Sequence, residues 1–255
     1  MKVTFLGTGT SQGVPVIGCD CNVCKSADVR DVRLRTSALL QSDRGNTILI
    51  DIGPDFRQQM LRHKVTHLDA ILITHAHRDH VAGLDDIRAY NYLQHGALPL
   101  YANRMAMVSL RRDYHYIFEP HEFPGLPEVE PFEVDGGGVI EIGGEEVMPI
   151  AAMHKDLPIL GYRIGGFAYL TDVSRIEEGE KEKLRGVDVL VVNALRQTPH
   201  WSHFSLPQAL ELIGEMRPRE AYITHISHEM GRHAEVEKGL PTNVRLAYDG
   251  LVVSI

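Results

Sequence analysis

Apolar residues along this chain fall into short runs separated by polar and glycine-rich breaks, and most runs are strand-length rather than helix-length. They predict strands at 2–7, 36–42, 46–51, 69–74, 98–101, 145–153, 158–164, 167–171, 187–192, 219–224, 244–248 and 251–255. Longer stretches with helical periodicity predict helices at 54–63, 85–95, 103–113, 174–184 and 206–216. Pro54 and Pro207 stand where a first helical turn tolerates proline, and Ser205 is placed to cap the last helix. Asp249-Gly250 between two apolar runs reads as a tight hairpin turn. The segment from Leu110 to Gly138 carries Arg111, Arg112, Tyr114, His115, Tyr116 and His121. It reads as an insertion, either a lid over a pocket or a packed loop. Strands alternating with helices place the protein in the α/β class.

One run changes the picture. Thr74-His75-Ala76-His77-Arg78-Asp79-His80 follows the apolar run Ala70-Ile71-Leu72-Ile73, so three imidazoles and a carboxylate crowd the end of a buried strand. Imidazole and carboxylate suit zinc, iron and manganese, and ligands this dense do not all serve one tetrahedral ion comfortably. The run therefore predicts two metals, with His75 and His77 facing one and Asp79 and His80 the other. The bland reading is a histidine-rich surface loop. Three further apolar runs also end on ligand-type residues: 147–153 at His154, 167–171 at Asp172 and 221–224 at His225. Alone, each is most simply a turn residue. Together they fit a layered α/β protein, where strand C-termini converge on one edge and form a site.

Every cysteine lies in Gly18-Cys19-Asp20-Cys21-Asn22-Val23-Cys24. An odd count at C-x-C-x-x-C spacing argues against a disulfide framework. Three thiolates need one more ligand for a tetrahedral structural zinc, and His228, three residues after His225, is the best candidate. The alternative is a loop of reduced free cysteines.

At this point the chain resembles the metallo-β-lactamase superfamily of hydrolases, across most of its length. Thr-Phe-Leu-Gly-Thr-Gly-Thr at 4–10 looks like that family's opening strand and glycine turn. Ile48-Leu49-Ile50-Asp51-Ile52-Gly53 looks like its second signature, whose aspartate supports the metal loop. The resemblance implies a single domain, 1–255, with the four-layer αββα sandwich fold. It implies His75, His77 and His154 on one metal, Asp79, His80 and His225 on the other, and Asp172 bridging both. The cysteine loop paired with Thr-His-Ile-Ser-His resembles the phosphonate-pathway cyclic-phosphate phosphodiesterase branch, which implies a third, structural zinc on Cys19, Cys21, Cys24 and His228. His200-Trp201-Ser202-His203-Phe204-Ser205 resembles that branch's catalytic histidine segment. His203 would then be the general acid, with His200 the second choice, and Asp79 would help orient the attacking water besides binding metal.

Composition narrows the substrate and setting. The 255 residues are 44% hydrophobic, enough for a large core, and ligand positions from Asp51 to His228 require the whole chain to fold around one site. The N-terminus enters a strand at once, leaving no room for a signal peptide, and no apolar run approaches a membrane span, so a cytoplasmic enzyme is expected. The net charge is -8 without a basic run, a poor match to long nucleic acid. Two divalent metals, zinc or manganese, would add about four positive charges at the site and attract one phosphate group. A small phosphodiester is the expected substrate, a phosphoribosyl cyclic phosphate being implied by the resemblance alone. Arg33, Arg35 and Arg78 are weaker candidates for phosphate contacts, each better explained by surface solvation. The rival readings are an RNA-processing nuclease or thioester hydrolase on the same metals, and a non-hydrolytic protein, either an iron redox enzyme or an accessory protein of cofactor biosynthesis. Oligomeric state is left open, a homodimer included.

Overall fold

In the computed structural model, which describes residues 1–119 and 125–255, two seven-stranded sheets are built from fourteen strands. The first sheet contains β1 (Lys2–Gly7), β2 (Ser37–Gln41), β3 (Thr47–Ile50), β4 (Ala70–Leu72), β5 (Leu98–Ala102) and β6 (Val129–Glu133). The second contains β7 (Ile140–Ile142), β8 (Glu145–His154), β9 (Leu157–Ile164), β10 (Phe167–Tyr169), β11 (Val189–Asn193), β12 (Glu220–Thr224) and β13 (Val244–Leu246). The last strand, β14 (Val252–Ser254), returns to the first sheet, giving the orders β14-β1-β2-β3-β4-β5-β6 and β13-β12-β11-β10-β9-β8-β7. Each sheet is antiparallel at one end and parallel at the other, with β3 to β6 and β10 to β13 forming the parallel halves.

Three apolar layers hold the sheets and helices together. Between the sheets, Val3, Phe5, Leu40, Ile48 and Leu72 of the first pack with Leu160, Tyr162, Phe167, Val189 and Tyr222 of the second. The outer face of the first sheet packs under α1 (Phe56–His63), α2 (Arg78–Val81), α3 (Arg88–Gln94), α4 (Arg104–Asp113) and α5 (His115–Phe118). The outer face of the second is covered chiefly by α7 (Leu206–Met216), with the short α6 (Glu178–Lys181) nearby and α8 (His233–Val236) after β12. The parallel strands are apolar on both faces because both are covered. This is the expected αββα sandwich. Its sheets are stitched together at one edge: Leu160 N–H donates to the Thr74 carbonyl at 3.0 Å, Tyr162 Oη to Ile73 at 2.7 Å, and Ile226 N–H to Thr8 at 2.9 Å. The run from His75 to His80 leaves the first sheet at that edge.

Four expectations change. Asp249-Gly250 is no hairpin turn, since β13 and β14 lie in different sheets; the Asp249 carboxylate accepts from Thr8 Oγ1 at 2.8 Å and from Leu34 N–H at 2.7 Å. The helix expected at 174–184 begins only at Glu178, because Ser174 and Arg175 pair with Met153 of β8 instead. Pro54 stands before the first turn, with α1 starting at Phe56. The segment from Leu110 to Gly138 is neither a free lid nor one loop: it completes α4, forms α5 and adds β6 to the sheet edge, where Pro131 costs little because an edge strand has unpaired positions. His121 lies outside the described residues. Ser205 does begin α7, with Gln208 Oε1 accepting from both its N–H (2.9 Å) and its Oγ (2.7 Å).

Candidate metal centres

The strand ends deliver the site. β4 leads into His75 and His77, and the one-turn α2 carries Asp79 and His80. His154 closes β8, Asp172 follows β10 and His225 follows β12. One ligand atom each from His75, His77, His154 and Asp172 lies within 4.8 Å of the others, and the same holds for Asp79, His80, Asp172 and His225. Asp172 alone belongs to both groups. Its Oδ1 lies 3.1 Å from His225 Nε2 and 3.4 Å from His80 Nε2, while Oδ2 lies 3.8 Å from His75 Nε2.

Backbone geometry produces this convergence at a conformational cost. Asp51, Asp172 and His225, each just past a strand, hold φ of +61°, +59° and +54°. That left-handed region is uncommon for residues other than glycine and marks places where the surroundings over-determine the chain. The Asp51-Ile52-Gly53 turn clamps the metal loop: Ile52 N–H donates to the His80 carbonyl at 2.8 Å, and a Cβ on Gly53 would collide with the Asp79 carbonyl oxygen.

The donor set fits divalent metal. His75 Nε2, His80 Nε2 and His225 Nε2 are buried and lack hydrogen-bond partners, the arrangement expected of nitrogens reserved for an ion. Outer partners fix the tautomers of His80 and His154, whereas His225 Nδ1 is buried without one. Asp51 Oδ2 accepts from His80 Nδ1 at 2.6 Å, and the Ser202 carbonyl accepts from His154 Nδ1 at 2.8 Å, leaving each Nε2 directed inward. Burial disfavours charge on His75, His77 and His154 and lowers their pKa values, keeping them neutral and ligand-competent. Burial also opposes charge on His80, but Asp79, Asp172 and Asp51 surround it and raise its pKa well above the ordinary range.

The cysteine loop meets His228 across the fold. His228 Nδ1 lies 3.3 Å from Cys19 Sγ, 3.5 Å from Cys21 Sγ and 3.6 Å from Cys24 Sγ. All three cysteines are free, and four soft and borderline donors around one point suit zinc. The Cys24 backbone N–H, then His228, draw the Cys21 thiol down to about 6, whereas burial pushes Cys24 up to about 11.

His203 and His200 stand beside the two-metal cluster. His203 Nε2 is 3.2 Å from Asp172 Oδ2, its Nδ1 is 2.9 Å from Ser202 Oγ, and its ring centre is 5.3 Å from that of His200. The arginines go elsewhere. Arg33 is neither surface-solvated nor aimed at the cluster: it is 3% exposed, donates to Thr8 Oγ1 and the Ala247 carbonyl, and sits 3.2 Å from His233 Nδ1. Arg35 pairs with Asp55, and Arg78 with Tyr114 and Asp113. Sequence reasoning missed Ser202, whose carbonyl orients His154; its place between two histidines was the available signal.

Two clustered His/Asp groups sharing one carboxylate, at the edge of an αββα sandwich, define a metal-dependent hydrolase type of site. The β-lactamase superfamily domain model matches residues 46–226. The chain belongs to the metallo-β-lactamase superfamily of hydrolases. The crystal structure of a diphosphatase from the PhnP family shares 42% sequence identity with it and superposes with a TM-score of 0.92, covering 99% of this chain and 96% of that one. An octanoyltransferase of Porphyromonas gingivalis is 42% identical over 252 residues, which are 98% of this chain and 51% of that protein. The chain thus spans about half the length of this curated relative. Coenzyme PQQ synthesis protein B of Methylobacterium nodulans is 30% identical over 222 residues, 75% of this chain and 72% of that protein.

Proposed function

We propose that this protein is a phosphodiesterase for a small phosphodiester, using two divalent ions, zinc or manganese, held by His75, His77, His154, Asp79, His80, His225 and Asp172. Bound there, such ions would lower the pKa of a water and neutralise phosphoryl oxygens in an in-line displacement. The observation that carries the reading is His203, a histidine outside both ligand groups that points its Nε2 at the carboxylate they share, 3.2 Å away. Hydrolysis of a phosphodiester expels an alkoxide that needs a proton, and His203 stands where it can give one. Ser202 Oγ against Nδ1 orients the ring, and His200 backs Ser202 Oγ at 3.2 Å. Asp79, 3.7 Å from His225 Nε2 through Oδ2, adds negative charge where a nucleophilic water would be oriented.

The 42% identity and near-complete overlap with a PhnP-family diphosphatase support phosphorus-oxygen cleavage over thioester cleavage. The net charge of -8 favours a small diester over long nucleic acid. We assign a third, structural zinc to Cys19, Cys21, Cys24 and His228, and on these free thiols a reducing, cytoplasmic setting. No helix among the described residues is long and apolar enough to cross a membrane. The likeness to a PQQ synthesis protein favours one second reading, an accessory role in cofactor biosynthesis. A panel on metal-replete enzyme separates them: turnover of bis(p-nitrophenyl) phosphate and cyclic phosphate esters, with none on thioesters, is expected. Inactivity across the phosphodiesters would turn the assignment toward the accessory role.

A further inference from the structure

The sole tryptophan of the chain, Trp201, is 69% exposed, although it lies between His200 and the Ser202-His203 pair that meets the two-metal cluster. A single exposed aromatic is ordinary on a protein surface. Three observations set this one apart. Its backbone neighbour Ser202 binds His154 through its carbonyl, so the indole is anchored at the site's lip. The Lys155 ammonium sits 4.6 Å from the ring centre, and Lys155 directly follows His154 in a hairpin where it holds φ of +55°. That lysine is 54% exposed, and its nearest carboxylate, Asp156, is 3.8 Å away and itself 89% exposed, so the cation is weakly committed.

A flat, exposed indole two residues from His203, beside a loosely held cation one residue from His154, matches a ligand carrying a planar ring next to an anion. We propose that Trp201 and Lys155 form a nucleotide subsite, in which a nucleobase stacks on the indole and Lys155 pairs with a phosphate oxygen of the same ligand. This rests on the phosphodiesterase reading and narrows its substrate class to nucleoside phosphate esters. Stacking of a base on an aromatic side chain is stronger than a solvent-exposed cation–π contact, so a base displaces Lys155 from the ring and frees it for the anion.

Matched ligands test this on metal-replete enzyme: AMP and ribose 5-phosphate both present a phosphate monoester, and the base is the principal difference between them. By calorimetry, AMP should bind about tenfold more tightly than ribose 5-phosphate. It should also quench the tryptophan fluorescence over the same concentration range, a direct readout because the chain holds one tryptophan. Trp201→Ala should remove that tenfold gap while leaving ribose 5-phosphate affinity unchanged, and Trp201→Phe should restore it. Lys155→Gln should weaken both ligands alike. Equal affinities for the two ligands in the unmodified enzyme, or an equal loss of both in Trp201→Ala, would overturn the subsite; unchanged binding in Lys155→Gln would overturn the role of the lysine. A base-dependent gap in an enzyme without phosphodiesterase activity would leave the subsite standing and sink the reaction assigned to it, whereas activity without the gap does the reverse.

Discussion

Asp51 Oδ2 and His80 Nδ1 are 2.6 Å apart, and both side chains are fully buried. The same carboxylate accepts from Thr74 N–H at 2.8 Å and from Thr74 Oγ1, so one aspartate holds both ends of the ligand run. It thereby decides which way the imidazole faces. Partners of this kind typically change metal affinity about 10- to 100-fold when removed. Asp51→Asn should keep the fold by circular dichroism and lose metal from the second group by about that factor. An unchanged metal affinity in Asp51→Asn, measured by competition with a chelator of known affinity, would show that the Asp51 contact does not tune the ligand.

Asp172 is the carboxylate common to both groups, so its removal is expected to act on both at once. Asp172→Ala should lower metal content as measured by elemental analysis and abolish phosphodiesterase activity in a folded protein. His77→Ala should abolish activity too, while losing metal chiefly from the group containing His75 and His154. An active, fully loaded Asp172→Ala enzyme would end the two-metal assignment.

Structural zinc contributes folding free energy directly, because the site does not exist in the unfolded chain. Cys21→Ser and His228→Ala should each release one metal per chain and lower the melting temperature. The second variant matters most, since His228 lies 209 positions from Cys19 and closes the loop onto the segment carrying His225. Unchanged stoichiometry in both would remove the third site.

The contribution of a general acid scales with the basicity of the departing oxygen and is worth about 10²–10⁴-fold for an alkoxide. p-Nitrophenolate leaves without a proton. His203→Ala should therefore lose far more activity on an alkyl or sugar diester than on bis(p-nitrophenyl) phosphate, with metal content unchanged. Equal losses on both would make His203 a phosphate-positioning group, and loss of metal would move it into the ligand shell. If neither substrate is affected, His200 becomes the acid.

Asp249 gives stability a pH dependence of defined sign. Burial raises its carboxyl to about 6, against the hydrogen bonds from Leu34 and Thr8 and the nearby Arg33. A raised acid binds its proton more tightly folded than unfolded, so its stabilising contribution is complete below about pH 4 and lost as pH rises through 6. The loss is at most about 3 kcal/mol, and less to the extent that solvent reaches the residue. Asp249→Asn lacks this titration. Its stability relative to the unmodified protein should rise between pH 4.5 and 7 in urea melts, a difference that cancels the other titrating groups. A pH-independent difference would rule the carboxylate out as the source.

Much of this molecule is legible in its sequence because the information is local. His75, His77, Asp79 and His80 are separated by so few bonds that their spacing alone brings four donors to one strand end, whatever surrounds them. Long apolar runs such as 145–153 and 187–192 read as strands because their residues need burial in any fold that forms. Val129–Glu133 escaped notice for the converse reason: an edge strand with exposed residues and a proline carries no such pattern. Other features exist only once the sheets pack. The buried partners of Arg33, the Asp249 carboxylate reaching back to Thr8, and the left-handed Asp51, Asp172 and His225 all depend on residues far along the chain. No short-range pattern encodes them. The energy that holds them comes from closing the two sheets on each other, which brings strand ends more than a hundred positions apart to one edge, as His225 and Asp79 are.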